Sequence, residues 1–200
     1  MALYVAPRNG TEIVSAPGAA PPASLPINYV SQRPQANWCW AACTVMVANY
    51  LGAKDPDADG TPKMCHLASL LHGLPNCCAD PSSCDMGAWP ELAYAHLGIV
   101  HSPEVPSPPI NSERVLTVEQ IRQQIVENRR PVEVLYKWNT HGAHVVLITG
   151  IYDDGQIEVL DPWFGIESPV TYDYVRGARG MGRWAGTYSD FQAGPGQASA

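Results

Sequence analysis

Apolar positions along this chain come in two kinds of run. In the first half they are spaced for helices. Trp40 to Tyr50 reads WAACTVMVANY and stops at Gly52, so the pattern predicts a helix over 39–51. Shorter helical patterns lie near 64–72 and 87–97. Thr117 then caps an amphipathic run, Val118 to Arg129, with Val118, Ile121, Ile125 and Val126 on one face. Beyond it the runs are short, β-branched and ended by turns, which predicts strands near 132–138, 143–150, 156–161, 169–175 and 183–188. The turn Asp153-Asp154-Gly155 makes a hairpin of the second and third of these. Helices first and strands later is an α+β arrangement. No run has the length of a membrane span, and no repeat is visible.

Residues 101–116, with Pro103, Pro106, Pro108 and Pro109, read as an irregular connector. The first thirty residues are rich in Ala, Pro and Gly and lack the uninterrupted apolar core of a Sec signal. The expected organisation is a flexible tail or leader over 1–27, one domain over 28–190, and a frayed tail over 191–200. Export by a specialised system, or loss of a signal, is the favoured location; a cytoplasmic one is the alternative. The chain is 46% hydrophobic and 16% charged, which suits a globular domain and excludes a disordered one. A net charge of −7 and a pI near 5.2 argue against nucleic acid or an anionic membrane as partner. Arg129-Arg130 reads as a helix C-terminus.

Chemistry concentrates in three places. Cys39 opens the first apolar helix, with Asn37 available as a cap, and the positive end of a helix dipole favours thiolate over thiol. The competing reading is a structural cysteine, because free cysteines are usually buried. His144 stands at the start of the strand His144-Val-Val-Leu-Ile, where an imidazole can leave the core and face a cleft; His141 sits in the turn before it and reads as solvated. Asp161 ends the next strand, and the hairpin returns it towards His144. Nucleophile, base and orienting acid are thereby available in one chain. Asp161 can also be read as a turn residue that initiates Asp161-Pro162-Trp163.

These segments resemble papain-like cysteine peptidases, and in particular a bacterial group with a Gln…CWAA motif, a Gly-x-His strand and an Asp-Pro-Trp. That group includes secreted effector proteases. The resemblance runs from Val30 to Tyr188 and includes NWCWAAC (37–43), the CC pair (77–78), GAHVVLITG (142–150), DPW (161–163) and RWAGTYS (183–189). It implies a helical half carrying the nucleophile helix, an antiparallel β half, and an active site between them. Cys39 would be nucleophile, His144 general base and acid, and Asp161 the orienting residue. Gln32 would donate its amide to an oxyanion hole beside the Cys39 N–H, with Gln35 as the alternative. The family usually places this glutamine six residues before the cysteine, whereas Gln32 stands seven before and Gln35 four before. Such chemistry needs no cofactor or metal. Trp38, Trp138 and Trp163 are candidate cleft walls, and Trp40 and Trp184 belong to the core.

Setting Cys39 aside leaves Cys43, Cys65, Cys77, Cys78 and Cys84, enough for two disulfides and a free thiol in an oxidising compartment. Cys43 lies one turn past Cys39 and is expected to meet the 65–84 region, as papain-like enzymes often tie this helix to a neighbouring loop. The connectivity is open. Zinc held by Cys65, His66, Cys77, Cys78 and Cys84 is a weaker alternative, since no CxxC pair occurs. Asp55 to Gly60 matches the first half of a calcium loop, but His66 replaces the bidentate Glu and Pro56 and Pro62 fit poorly, so a solvated acidic turn is expected. The function expected is hydrolysis of peptide bonds in a protein or peptide substrate. Deamidation, transglutamination or other amide hydrolysis by an effector or toxin is the runner-up, and a non-catalytic binding module comes third.

Overall fold

A computed structural model describes residues 22–102 and 114–195. The helical half holds α1 (Cys39–Leu51), α2 (Met64–His72) and α3 (Pro90–His96). β2 (Ile99–Ser102) follows, then α4 (Val118–Arg122), β3 (Val132–Trp138), β4 (Ala143–Ile151), β5 (Ile157–Asp161), β6 (Gly165–Val170), α5 (Tyr172–Arg176) and β7 (Gly182–Ala193). One antiparallel sheet has the order β2-β7-β3-β4-β5-β6, and β1 (Ala23–Ser24) pairs with β4 beside that path. The architecture is α+β, with mixed helices and an antiparallel sheet.

Strand alternation explains how one sheet serves two cores. Leu135, Val145, Leu147 and Leu160 face α1, α2 and α3. Val134, Tyr136, Val146, Ile148 and Val159 face the opposite layer, with Ile121, Ile125 and Val175. Strands covered on both sides lose the polar half of their alternation, which is why β3 and β4 read as nearly continuous apolar runs. By the same alternation His144 shares the face of Val146 and Ile148, and Asp161 that of Val159. The hairpin register brings these strand ends together.

Several expectations change. The strand predicted over 169–175 is β6 followed by α5, because the Thr171 hydroxyl accepts the Tyr174 N–H and starts a helix. The helix predicted over 118–129 begins at a full capping box between Thr117 and Gln120, but is α-helical only to Arg122 and widens to π over Gln123–Glu127. The buried Gln124 there donates to Asp190 Oδ1. Residues 101–102, expected in the connector, end β2; most of the connector and residues 1–21 lie outside the described residues. Neither edge of the expected domain is the edge of the sheet. Ala23 and Ser24 pair with Ile151 and Gly150, Leu25 is buried, and β7 continues through a fully buried Phe191 to Ala193.

Two disulfides form, Cys65–Cys78 and Cys77–Cys84, while Cys39 and Cys43 are free thiols. Cys43 therefore does not join the 65–84 region. Its thiol points to the sheet and donates to the Val145 carbonyl at 3.5 Å. Pairing withdraws the other four sulfurs from the zinc set read in the sequence, since a metal ligand must be thiolate.

Candidate active site

The first turn of α1 carries Cys39, and the way this turn is held differs from the sequence reading. Asn37 does not cap it; the N-cap is Trp38 and no side chain accepts there. Asn37 is instead drawn to Asp85, whose carboxylate accepts the N–H groups of Ala36 at 2.9 Å and Asn37 at 2.7 Å. Three consecutive carbonyls of this loop are also used. Cys84 accepts from Trp38 Nε1 at 2.8 Å, Asp85 from Asn37 Nδ2 at 3.0 Å, and Met86 from Trp40 Nε1 at 3.1 Å. The Cys77–Cys84 bridge anchors that loop. Trp38 is consequently a buried brace and not a cleft wall, and Trp40 and Trp184 are core residues as expected.

On the sheet side, His144 Nε2 lies 2.8 Å from Asp161 Oδ1, and both residues are buried. With Nε2 engaged, the ring's other nitrogen is Nδ1, and Cys39 is among the groups that raise the imidazole's pKa. Trp138 is buried too and stacks on the imidazole, with centroids 5.8 Å apart and planes at 18°. Trp163 is half-buried beneath the Arg33 guanidinium, 4.9 Å from its ring centre. His141 is exposed.

Burial alone would lower the His144 pKa. The Asp161 charge and hydrogen bond, with a further hydrogen bond from Cys39, outweigh it and push the imidazole up to about 10. Burial would likewise raise Asp161, yet its carboxyl is held below the usual range by His144 and by the Trp163 and Phe164 N–H groups. Each partner is shifted towards its charged form.

Gln32 lies in the loop before α1, but its amide is not aimed as expected. Its Nε2 donates to the carbonyls of Gln35 at 2.9 Å and Ala36 at 3.0 Å. Rotating the amide would set its oxygen against those two carbonyls, so the orientation is dictated by the loop. Oε1 is buried and accepts nothing. The Gln32 N–H binds the Pro162 carbonyl at 3.0 Å, which fastens the loop to the segment after Asp161. Gln35 enters this arrangement through its backbone.

Sequence reading missed Arg179. Its guanidinium pairs with Glu167, comes within 3.9 Å of Asp161 Oδ2, and lies 3.8 Å over the Phe164 ring. It sits on a left-handed backbone, φ 63°, in a Gly-Ala-Arg-Gly turn that carries no motif. Asp85 was equally silent in the sequence, as one acid in a cysteine-rich loop.

An α+β fold with a free thiol opening α1 and a buried imidazole–carboxylate pair on its sheet is of the cysteine peptidase type. The family model described as Peptidase_C39 like family matches residues 24–190, and the chain belongs to that family, which points to a cysteine peptidase. No curated protein matches the chain.

Proposed function

We propose that this protein is a papain-like cysteine protease with Cys39, His144 and Asp161 as its triad. The observation that carries this reading is the buried His144–Asp161 bond of 2.8 Å, with Cys39 at the first position of α1 and among the groups that raise the His144 pKa. Cys39, as thiolate beside a protonated His144, attacks the scissile carbonyl and forms a tetrahedral oxyanion. The Cys39 backbone N–H, at the uncapped start of α1, is the donor for that oxygen. Gln32 joins it only by exchanging one of its two loop carbonyls for the oxyanion. His144 gives its proton to the leaving amine, a thioester remains on Cys39, and water deprotonated by His144 releases the acid and restores the thiol. Asp161 keeps the imidazole in register through Nε2, and no cofactor is required. The two disulfides fit an oxidising compartment, so export belongs to the same reading.

The test is intact mass after mild treatment with a papain-class epoxide, on the native protein, Cys39→Ala and His144→Ala. The expected result is one adduct on the native protein, none on Cys39→Ala, and much slower labelling of His144→Ala. Labelling indifferent to His144 would make Cys39 an ordinary thiol and sink the reading. Peptide profiling then follows the acyl acceptor: cleaved chains mean proteolysis, whereas ammonia release from intact substrate means deamidation or transfer by an effector-type enzyme.

A further inference from the structure

Asp55 opens the acidic turn that resembles half a calcium loop, but its side chain is turned inward and only 2% exposed. Its Oδ1 lies 3.1 Å from His96 Nε2 and accepts the Asp57 N–H at 3.1 Å. Its Oδ2 lies 3.9 Å from His66 Nδ1, and Asp57 Oδ2 lies 3.9 Å from His96 Nε2. Asp55 Oδ2 and His66 Nδ1 are both shut off from solvent, and neither has a hydrogen-bond partner. The turn, α2 and α3 thus bring two imidazoles and two carboxylates to one groove of about 430 Å³. None of Cys39, His144 and Asp161 lines it.

We infer that this cluster is a binding site for a divalent cation of the zinc type, with His66 Nδ1, His96 Nε2 and the Asp55 carboxylate as ligands and Asp57 as an outer fourth. The donor set selects the ion. Calcium takes six or more oxygens, whereas mixed imidazole and carboxylate donors suit zinc. Zinc ligands stand about 2.0–2.2 Å from the metal, so tetrahedral neighbours lie roughly 3.3–3.5 Å apart. Three of the separations are 3.1, 3.9 and 3.9 Å, with one Asp55 oxygen towards each imidazole, while the donors as a set do not all stand within 4.8 Å of one another. Enclosing an ion therefore takes side-chain shifts. The movable members can supply these, because the His66 and Asp57 side chains are 35% and 71% exposed. A buried carboxylate oxygen without a partner is costly, and a cation supplies the missing contact. The Cys65 and Cys78 sulfurs also lie beside His66, but they are bonded to each other and offer no thiolate. Occupancy would fasten the 55–60 turn to α2 and α3.

Zinc ions can also bind a Cys-His pair, so the titration is made on metal-free Cys39→Ala protein, which separates this site from the proposed catalytic one. Calorimetry with zinc ions alone is expected to give one ion per chain, cobalt a visible band of four-coordinate type, and the melting temperature should rise with metal. His66→Ala and His96→Gln should each weaken binding on the order of tenfold or more, and Asp57→Asn less. His66→Ala changes a half-exposed position and keeps the test valid should the His96 variant fail to fold. No saturable one-to-one uptake by Cys39→Ala protein, or equal uptake by folded His66→Ala protein, would overturn the assignment and leave Asp55 a carboxylate that only braces two histidines.

Discussion

Asp161 Oδ1 accepts from His144 Nε2 at 2.8 Å and from the backbone N–H groups of Trp163 at 2.8 Å and Phe164 at 3.1 Å. The turn residue and the imidazole partner, which the sequence presents as alternatives, are one atom doing both. The backbone bonds fix the carboxylate, and the carboxylate fixes the ring. Because the folded His144 pKa stands above its free value of 6.5, the charged imidazole's contribution to stability is full below that value and lost as pH rises through about 10. The alkaline fall of kcat/KM should follow the same proton. In Asp161→Asn the strongest upward influence is gone, so that limb should move down by about one pH unit or more. A limb unmoved in the variant's pH profile would remove Asp161 from this role. Gln32 is the second test at this scale. Held on two loop carbonyls, it predicts that Gln32→Ala loses about 1–3 kcal/mol of stability in denaturant melts. It also predicts a kcat fall of less than about tenfold; a fall of a hundredfold or more at unchanged stability would restore the oxyanion role.

Among the elements, α1 shows what local pattern can and cannot say. Its span was legible because a long apolar run ends at Gly52, whose φ of 69° and N–H bonds to Ala48 and Asn49 close the helix. Its beginning was not. Asn37 is a good cap by residue type, but its side chain is claimed by Asp85, 48 positions away. The loop held by Cys77–Cys84 takes the place of a cap, receiving Trp38, Asn37 and Trp40 in turn. Replacing both cysteines with serine should cost about 2–4 kcal/mol. It should also slow iodoacetamide labelling of Cys39, because the segment before α1 loses its support. Unchanged labelling alongside lower stability would confine the bridge to a purely structural part. β6 and α5 make the complementary case: a Thr cap at 171 outweighed the strand-like composition of 169–175.

Across the whole molecule the helical layer packs against one face of the sheet, and the second core fills the other. Glu133 is fully buried between that layer and β3, where Tyr94 OH donates to its carboxyl. Burial pushes it up to about 8, the Tyr94 hydrogen bond opposing and Glu91 adding to the rise. A carboxyl raised above its free value of 4.5 keeps a proton in the native state that the unfolded chain has released. Stability should therefore fall as pH rises from that value to about 8. Glu133→Gln should flatten this slope, read as denaturant midpoints across the window; an unaltered slope would show that Glu133 does not set it.

The sequence by itself determined what repeats within a few residues or returns through a short turn. The α1 span, the strands on either side of Asp153-Asp154-Gly155, and hence the meeting of His144 with Asp161 all follow from period, hairpin and residue type. Only the tertiary structure decided the rest: the Asp85 brace, the pairing of Cys65 with Cys78 and Cys77 with Cys84, the turned amide of Gln32, Arg179 beside Asp161, and the burial of Asp55 between two histidines. Most of these join residues far apart in the chain, while the Gln32 amide and the Cys77–Cys84 bridge act within an irregular loop that has no period to read. Their partners are chosen by burial, where a polar group must find whichever complement the packed chain brings within reach.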